Sequence, residues 1–141
     1  MDKQFRKVYI FKCEPRDIWD AFLDGKIIEE WLGSEETLMK DTIGYKFKWR
    51  VGAEWMEGKV VELVRPYKKI HFDWRREQWE EGKFAQVVLE INEMSDETRL
   101  EITITKIPKS EWDEVYEDWD GKIIPELEKY LKKLHKKKKV A

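Results

Sequence analysis

The stretch IHFDWR, residues 70–75, alternates apolar and polar side chains without a break. Successive side chains of a β-strand point to opposite faces, so this pattern predicts a strand with one buried and one solvated face. The same alternation recurs in YKFKWR at residues 45–50 and in RLEITIT at residues 99–105. Apolar residues on one face and charged residues on the other indicate a sheet that is covered on one side only.

Further strands are predicted on both sides of this stretch. Residues 5–12 and 84–91 are rich in aromatic and β-branched residues, and residues 37–40 are compatible with a short additional strand. Residues 55–64 form a longer candidate, in which Gly58 suggests a bulge or a close backbone approach. Because the connections are short and polar, the strands are expected to pair as antiparallel hairpins, giving about six or seven strands.

Two short helices are predicted directly after the first strand. Pro15 stands at a first-turn position that proline tolerates, and apolar residues then recur at helical spacing up to Leu23. A second helix is predicted over about residues 26–32, ending at Gly33.

A long amphipathic helix is predicted over residues 112–134. Ser110 and Asp113 have the spacing of a near capping box at its start. Gly121 and Pro125 lie inside it, so we expect the helix to bend between them.

Together these elements predict an α+β fold in a single domain over residues 1–141, with a curved antiparallel sheet wrapped on the long C-terminal helix. A curled sheet on a helix often leaves a space, and we predict an apolar ligand site there. The alternative is that the same aromatic side chains form a solid core. The predicted ligand-binding residues are Phe47, Trp49, Phe72, Trp74, Val87, Leu89, Trp119 and Ile123.

Several short motifs, in a fixed order, carry a family resemblance. The early motifs are PRDIWDAF at residues 15–22, the segments at residues 28–31 and 44–47, and EGKVVEL at residues 57–63 followed by Pro66. The later motifs are FDWR at residues 72–75 with Trp79, TRL at residues 98–100, Ile107-Pro108 and Trp119.

In this order the chain resembles the START-like, or birch-pollen-allergen-like, superfamily. Within it the chain is most similar to the C-terminal domain of the activator of heat shock protein 90 ATPase and its stand-alone bacterial and archaeal relatives. The resemblance implies a helix-grip fold and a chaperone-associated, non-catalytic protein. Two departures are expected to matter: the chain has no room for the activator's separate N-terminal domain, and Asp118 replaces the family's usual glycine before the late tryptophan.

The overall charge is nearly balanced, with 28 basic and 30 acidic residues and a net charge of −2, which argues against nucleic-acid binding. A lysine cluster over residues 132–139 either complements the helix dipole or contacts an anionic partner. The charged fraction of 41% and the single asparagine, Asn92, are typical of thermophilic proteins. The single cysteine, Cys13, and the absence of a leader or a long apolar run predict a cytoplasmic protein without a membrane span.

The residue spacing indicates no metal site, and no cofactor is expected. Glu57, Lys59 and His71 are the one candidate set for acid–base catalysis in the predicted cavity. A solvated ladder of cross-strand charges is the alternative for these residues, and we predict no catalytic residues.

A partner-binding surface is predicted at Arg75, Arg76 and Trp79. Trp79 lies in a charged connection, and Trp and Arg are enriched in interface hot spots. The alternative is that Trp79 folds back to cap the sheet edge. A heat shock protein 90 family chaperone is the partner that the resemblance implies.

Overall fold

The computed structural model describes residues 3–140, and the side chains of residues 3–138. Six strands form one antiparallel sheet in the order β1-β6-β5-β4-β3-β2. The strands are β1 Phe5–Phe11, β2 Lys46–Val51, β3 Glu54–Val64, β4 Lys69–Arg76, β5 Ala85–Glu93 and β6 Thr98–Thr105. Residues 37–40 contribute only one bridge, between Leu38 and Lys48, rather than a seventh strand.

Strands β2 to β6 run as a meander, and the first strand pairs with the last. Phe5 lies opposite Ile104 and Phe11 opposite Thr98. The two short helices, α1 Pro15–Leu23 and α2 Gly25–Leu32, connect β1 to β2, which lie at opposite edges of the sheet. The predicted α+β class and the helix-grip arrangement implied by the resemblance are confirmed.

The C-terminal helical region is continuous but not uniform. A 3₁₀ turn at Lys109–Glu111 leads into α3 Trp112–Tyr116, then a π-helical segment at Glu117–Ile123, then α4 Ile124–Val140. The π-helical segment includes Gly121, whereas Pro125 lies in the first turn of α4. The bend between these two residues stays a prediction.

The predicted capping box at Ser110 and Asp113 was wrong. Ser110 already lies inside the 3₁₀ turn, so its backbone does not have the extended conformation of a helix cap, and no side chain caps α3. A side-chain cap occurs instead at α1, where the Asp17 carboxylate accepts the backbone N–H of Glu14 at 2.9 Å.

One hydrophobic core lies between the concave face of the sheet and the helices. Its largest fully buried side chains are Trp19, Trp49, Trp74, Trp119, Phe22, Phe47 and Phe72.

Gly58 allows a close approach inside this core, as predicted. A Cβ atom at Gly58 would lie 1.9 Å from the carbonyl oxygen of Asp73 and 2.7 Å from the ring of Phe47. The change of register in β3 lies further along the strand, between Val60 and Glu62.

Candidate functional site

The eight predicted ligand-binding side chains do lie together, at the centre of the core. Each is at most 2% exposed. The ring centroids of Phe47 and Trp49 are 5.1 Å apart, and those of Phe47 and Phe72 are also 5.1 Å apart. From the helix side, the Trp119 ring lies 5.9 Å from Trp74 and 6.4 Å from Phe72.

These spacings are typical of rings in direct contact. The rings therefore occupy the space between the sheet and the helix in which a ligand is predicted. An apolar ligand would have to displace them, so ligand binding at these residues stays a prediction that now requires the core to open.

The prediction of an exposed surface at Arg75, Arg76 and Trp79 was wrong about exposure. The residues are 8%, 6% and 5% exposed, respectively. The connection between β4 and β5 folds back, and the Trp79 ring packs edge-on against Trp74 with 5.3 Å between centroids. The alternative, in which Trp79 caps the core, is the observed arrangement.

Arg75 holds this connection in place from the outer face of the sheet. Its Nη2 donates to the backbone carbonyl of Trp79, and its Nη1 donates to Glu57 Oε1 at 2.7 Å. Arg75 and Glu57 are also register partners on β4 and β3.

Arg76 faces the opposite side and ties the end of β4 to the C-terminal helical region. Its Nε lies 3.1 Å from Asp118 Oδ2, its Nη1 donates to Glu114 at 2.6 Å, and its Nη2 lies 3.8 Å from Glu54. The Asp118 side chain is only 3% exposed. Burial raises the pKa of Asp118 to about 6, although the nearby charges of Arg76 and Lys122 act in the opposite direction.

Glu57, Lys59 and His71 belong to the outer face of the sheet rather than to the interior. Glu57 is paired with Arg75, and Lys59 is the register partner of Asp73. His71 Nε2 lies 2.8 Å from the Gln86 side chain on the neighbouring strand. The solvated ladder of cross-strand charges is thus confirmed for Glu57, whereas His71 contacts an uncharged side chain.

Sequence reasoning missed a cluster of basic and aromatic side chains on this outer face, at the β2 edge. We call it the basic–aromatic face; its members are Lys46, Lys48, Arg50, Trp55, Lys59 and Phe84. Lys48 Nζ lies 4.9 Å from the Trp55 ring centroid, and the Arg50 guanidinium carbon lies 5.6 Å from it. The alternation in residues 45–50 already placed the three basic residues on one face, so the signal was present.

The remaining candidates from the sequence are the single cysteine, the lysine cluster, a metal site and a membrane span. Burial raises the pKa of the Cys13 thiol to about 12, so it is a poor nucleophile at neutral pH. Lys138 of the lysine cluster lies 3.0 Å from Asp17, while Lys139 lies outside the described side chains. Among the described residues no cluster of three metal-binding side chains was found. No described helix has the length and apolarity needed to cross a membrane.

Comparison with known proteins shows which family the sequence of this chain matches. Residues 12–132 match the family described as "Activator of Hsp90 ATPase homolog 1-like protein". The activator of 90 kDa heat shock protein ATPase homolog of Dictyostelium discoideum is 28% identical over 118 residues, which are 83% of this chain and 30% of that protein. The human homolog 1 is 28% identical over 109 residues, 77% of this chain and 31% of that protein.

The chain therefore spans about a third of the length of these relatives. Among solved structures, an HSP90 activator from Plasmodium falciparum superposes with a TM-score of 0.81 at 20% identity, covering 91% of this chain and 95% of that one. This likeness supports the fold.

Proposed function

The chain belongs to the family of Activator of Hsp90 ATPase homolog 1-like proteins, and from that membership we propose that it is a non-catalytic, protein-binding module that associates with a heat shock protein 90 family chaperone. The single observation that carries this proposal is the family match over residues 12–132. We also propose that it acts in the cytoplasm, because its one cysteine suits a reducing compartment.

The packing of the interior supports a function at the surface. Cavity catalysis needs ionisable groups beside an enclosed space, but the centre of this core holds aromatic rings in mutual contact. The perturbed carboxyl group of Asp118 is engaged by Arg76, which ties a strand to a helix. Asp118 is thus part of the tertiary contact between strand and helix, and the exposed faces remain available to bind a partner.

A binding measurement on purified proteins tests the proposal. Calorimetric titration of the chain into a heat shock protein 90 family chaperone should give a saturable complex with a dissociation constant in the micromolar range, about −8 kcal/mol. Because many of the exposed groups are charged, the affinity should fall as salt rises from 50 to 300 mM. Absence of a complex at 50 mM salt and at chain concentrations near 1 mM would overturn the proposed function.

ATPase assays of the same mixture address the finer question of activation. The relatives are about three times longer than this chain, so we expect any stimulation of the chaperone's ATPase to be weaker than that given by a full-length activator. An unrelated small acidic protein added at the same concentration is the control for nonspecific effects.

A further inference from the structure

The charges and aromatic rings at the β2 edge form a docking surface, and this inference rests on the proposed function. We propose that the basic–aromatic face binds an acidic segment of the partner protein, with an apolar side chain of that segment seated beside Phe84. The face lies on the outer side of β2, β3 and β4, opposite the face that the helices cover.

Two lysines on this face lack a counter-charge. Lys46 and Lys59 are directly opposed register partners on β2 and β3, and both are exposed. Among the described residues neither ammonium group has a carboxylate within 4.0 Å. Like charges directly opposite each other on a strand pair are destabilising, so a carboxylate placed between them would relieve the repulsion.

The acidic residues nearby are already engaged. Glu57 is bound to Arg75 at 2.7 Å, and Asp73 Oδ1 accepts the backbone N–H of Lys59 at 2.6 Å. Glu77 lies 3.9 Å from Lys48. The outer face around them carries five basic side chains, Lys46, Lys48, Arg50, Lys59 and Arg75, against the three acidic ones, Glu57, Asp73 and Glu77. The face therefore keeps an excess of positive charge, which is complementary to an acidic segment.

The aromatic members of the face lie close to cationic groups. Trp55 lies beneath Lys48 and Arg50, and Phe84 lies 5.7 Å from the guanidinium of Arg75, which is itself buried and paired. Phe84 is nevertheless 37% exposed. A phenyl side chain has only two rotatable torsions, so an exposed one loses little conformational entropy on binding, which favours its use as an anchor.

A cleft joins the lysines to Phe84. Its volume is about 340 Å³, and it is lined by Lys46, Phe47, Glu57, Gly58, Lys59, Asp73 and Phe84. This volume is at the low end of small-molecule sites, roughly 300–1,000 Å³, and the cleft is open to solvent. The two carboxylates in this lining are already engaged, Glu57 by Arg75 and Asp73 by the backbone N–H of Lys59. The ammonium groups of Lys46 and Lys59 are therefore the ones left for a carboxylate of the partner, which would be followed by one apolar side chain beside Phe84.

Paired charge reversals test the surface. The double variant Lys46→Glu/Lys59→Glu should lower the affinity for the chaperone at least about tenfold, because it both removes and reverses the charges that the partner would meet. The matched control, Lys133→Glu/Lys137→Glu on α4, changes the net charge equally on the opposite layer and should change the affinity less than about threefold. Phe84→Ala should weaken binding by about tenfold or more.

A second probe separates this inference from the proposed function. A synthetic peptide that alternates Glu and Phe, titrated into ¹⁵N-labelled chain, should shift the amide resonances of residues 46–50, 55–59 and 84, and the shifts should disappear in Lys46→Glu/Lys59→Glu.

If the chaperone does not bind but the peptide binds at this face, the inferred surface stands and the proposed function fails. If the chaperone binds equally well to both double variants, the proposed function stands and the surface is overturned. Failure of both probes, or tighter binding of a double-stranded RNA oligonucleotide to this face, overturns the inference.

Discussion

Asp118 places an ionisable carboxyl group inside the core, beside Arg76 and against the end of β4. Its pKa is raised from 3.8 to about 6, so the folded chain binds this proton more tightly than the unfolded chain. The contribution of Asp118 to the free energy of unfolding therefore falls as pH rises from about 4 to about 6, and the loss is complete above about pH 7.

Replacing Asp118 with asparagine should remove this dependence. We expect the difference in unfolding free energy between wild type and Asp118→Asn to shift by up to about 3 kcal/mol in favour of the variant between pH 4 and pH 7, at 1.36 kcal/mol per pKa unit. Urea unfolding at several pH values measures it. The difference is the informative quantity because the hydrogen bond from Tyr9 lowers the pKa of Asp120, which acts in the opposite direction. Asp96→Asn, at an exposed turn, is the control. If the unfolding free energies of wild type and Asp118→Asn changed with pH in the same way, the prediction would be contradicted.

Trp79 is the residue whose sequence context misled the prediction most. Since its ring is 5% exposed and packs on Trp74, Trp79→Ala should lower the unfolding free energy by about 3–5 kcal/mol. Trp79→Phe should recover part of that loss because it restores a ring against Trp74. Chemical denaturation of both variants provides the measurement, and a loss below 1 kcal/mol in Trp79→Ala would show that the ring does not pack in the core.

At the scale of elements, the π-helical segment Glu117–Ile123 is fastened to the edge strand β1 by one carboxylate. Asp120 accepts hydrogen bonds from the Tyr9 hydroxyl at 2.7 Å and from Lys7 Nζ at 3.1 Å. Single-turn π-helical insertions in helices are uncommon and are frequently found at functional sites. Here the segment also carries Asp118 and Trp119, which face the core.

Removing the Tyr9 hydroxyl should loosen this contact. Tyr9→Phe keeps the ring but loses a hydrogen bond to a charged group, so we expect destabilisation by about 1.5–3 kcal/mol, with faster hydrogen exchange at the amides of residues 117–123. Tyr130→Phe on α4 is the matched control, because its hydroxyl has no hydrogen-bond partner among the described residues. Equal effects of the two variants would show that the contact with Asp120 contributes nothing.

The elements differ in how far sequence could predict them. Strict alternation at residues 45–50, 70–75 and 99–105 predicted three strands, because one face must be buried for that pattern to be stable. The π-helical segment could not be predicted, since apolar spacing over one turn does not distinguish it from an α-helix. The ion pair of Arg76 with Asp118 was also missed, because its partners are far apart in sequence and meet only when the helix crosses the sheet.

The candidate site was also predictable only in part. Sequence placed the eight core residues together, because periodicity assigns side chains to faces, but it could not decide whether the rings would touch or enclose a space. Trp79 was misassigned since neighbouring charges indicated solvent, whereas the backbone carbonyl of Trp79 is bound by Arg75 and the ring turns inward.

At the scale of the whole molecule, many of the charged side chains form ion pairs. Arg76 alone contacts Glu54, Glu114 and Asp118. Networks of this kind stabilise proteins most at high temperature, since the cost of removing charges from water falls as temperature rises. The thermophilic habit indicated by the composition stays a prediction.

Calorimetry tests that prediction. The midpoint of thermal unfolding should lie well above the roughly 45–65 °C of mesophilic domains, and Arg76→Met should lower it by more than Arg6→Met. Arg6 serves as the control because its contact with Glu101 is at the surface, with 65% of the arginine side chain exposed. A midpoint within the mesophilic range would contradict the prediction.

The pairing of the first strand with the last has a consequence for how the chain is made. Phe5 meets Ile104 only after about a hundred residues have left the ribosome, which takes about 5–20 s at 5–20 residues per second. Throughout that time β1 has no strand to pair with. The helices that follow it can pack only against a sheet that lacks some of its strands. The nascent polypeptide must therefore remain unfinished, and open to aggregation or to capture by other cellular factors, until β6 emerges and closes the sheet.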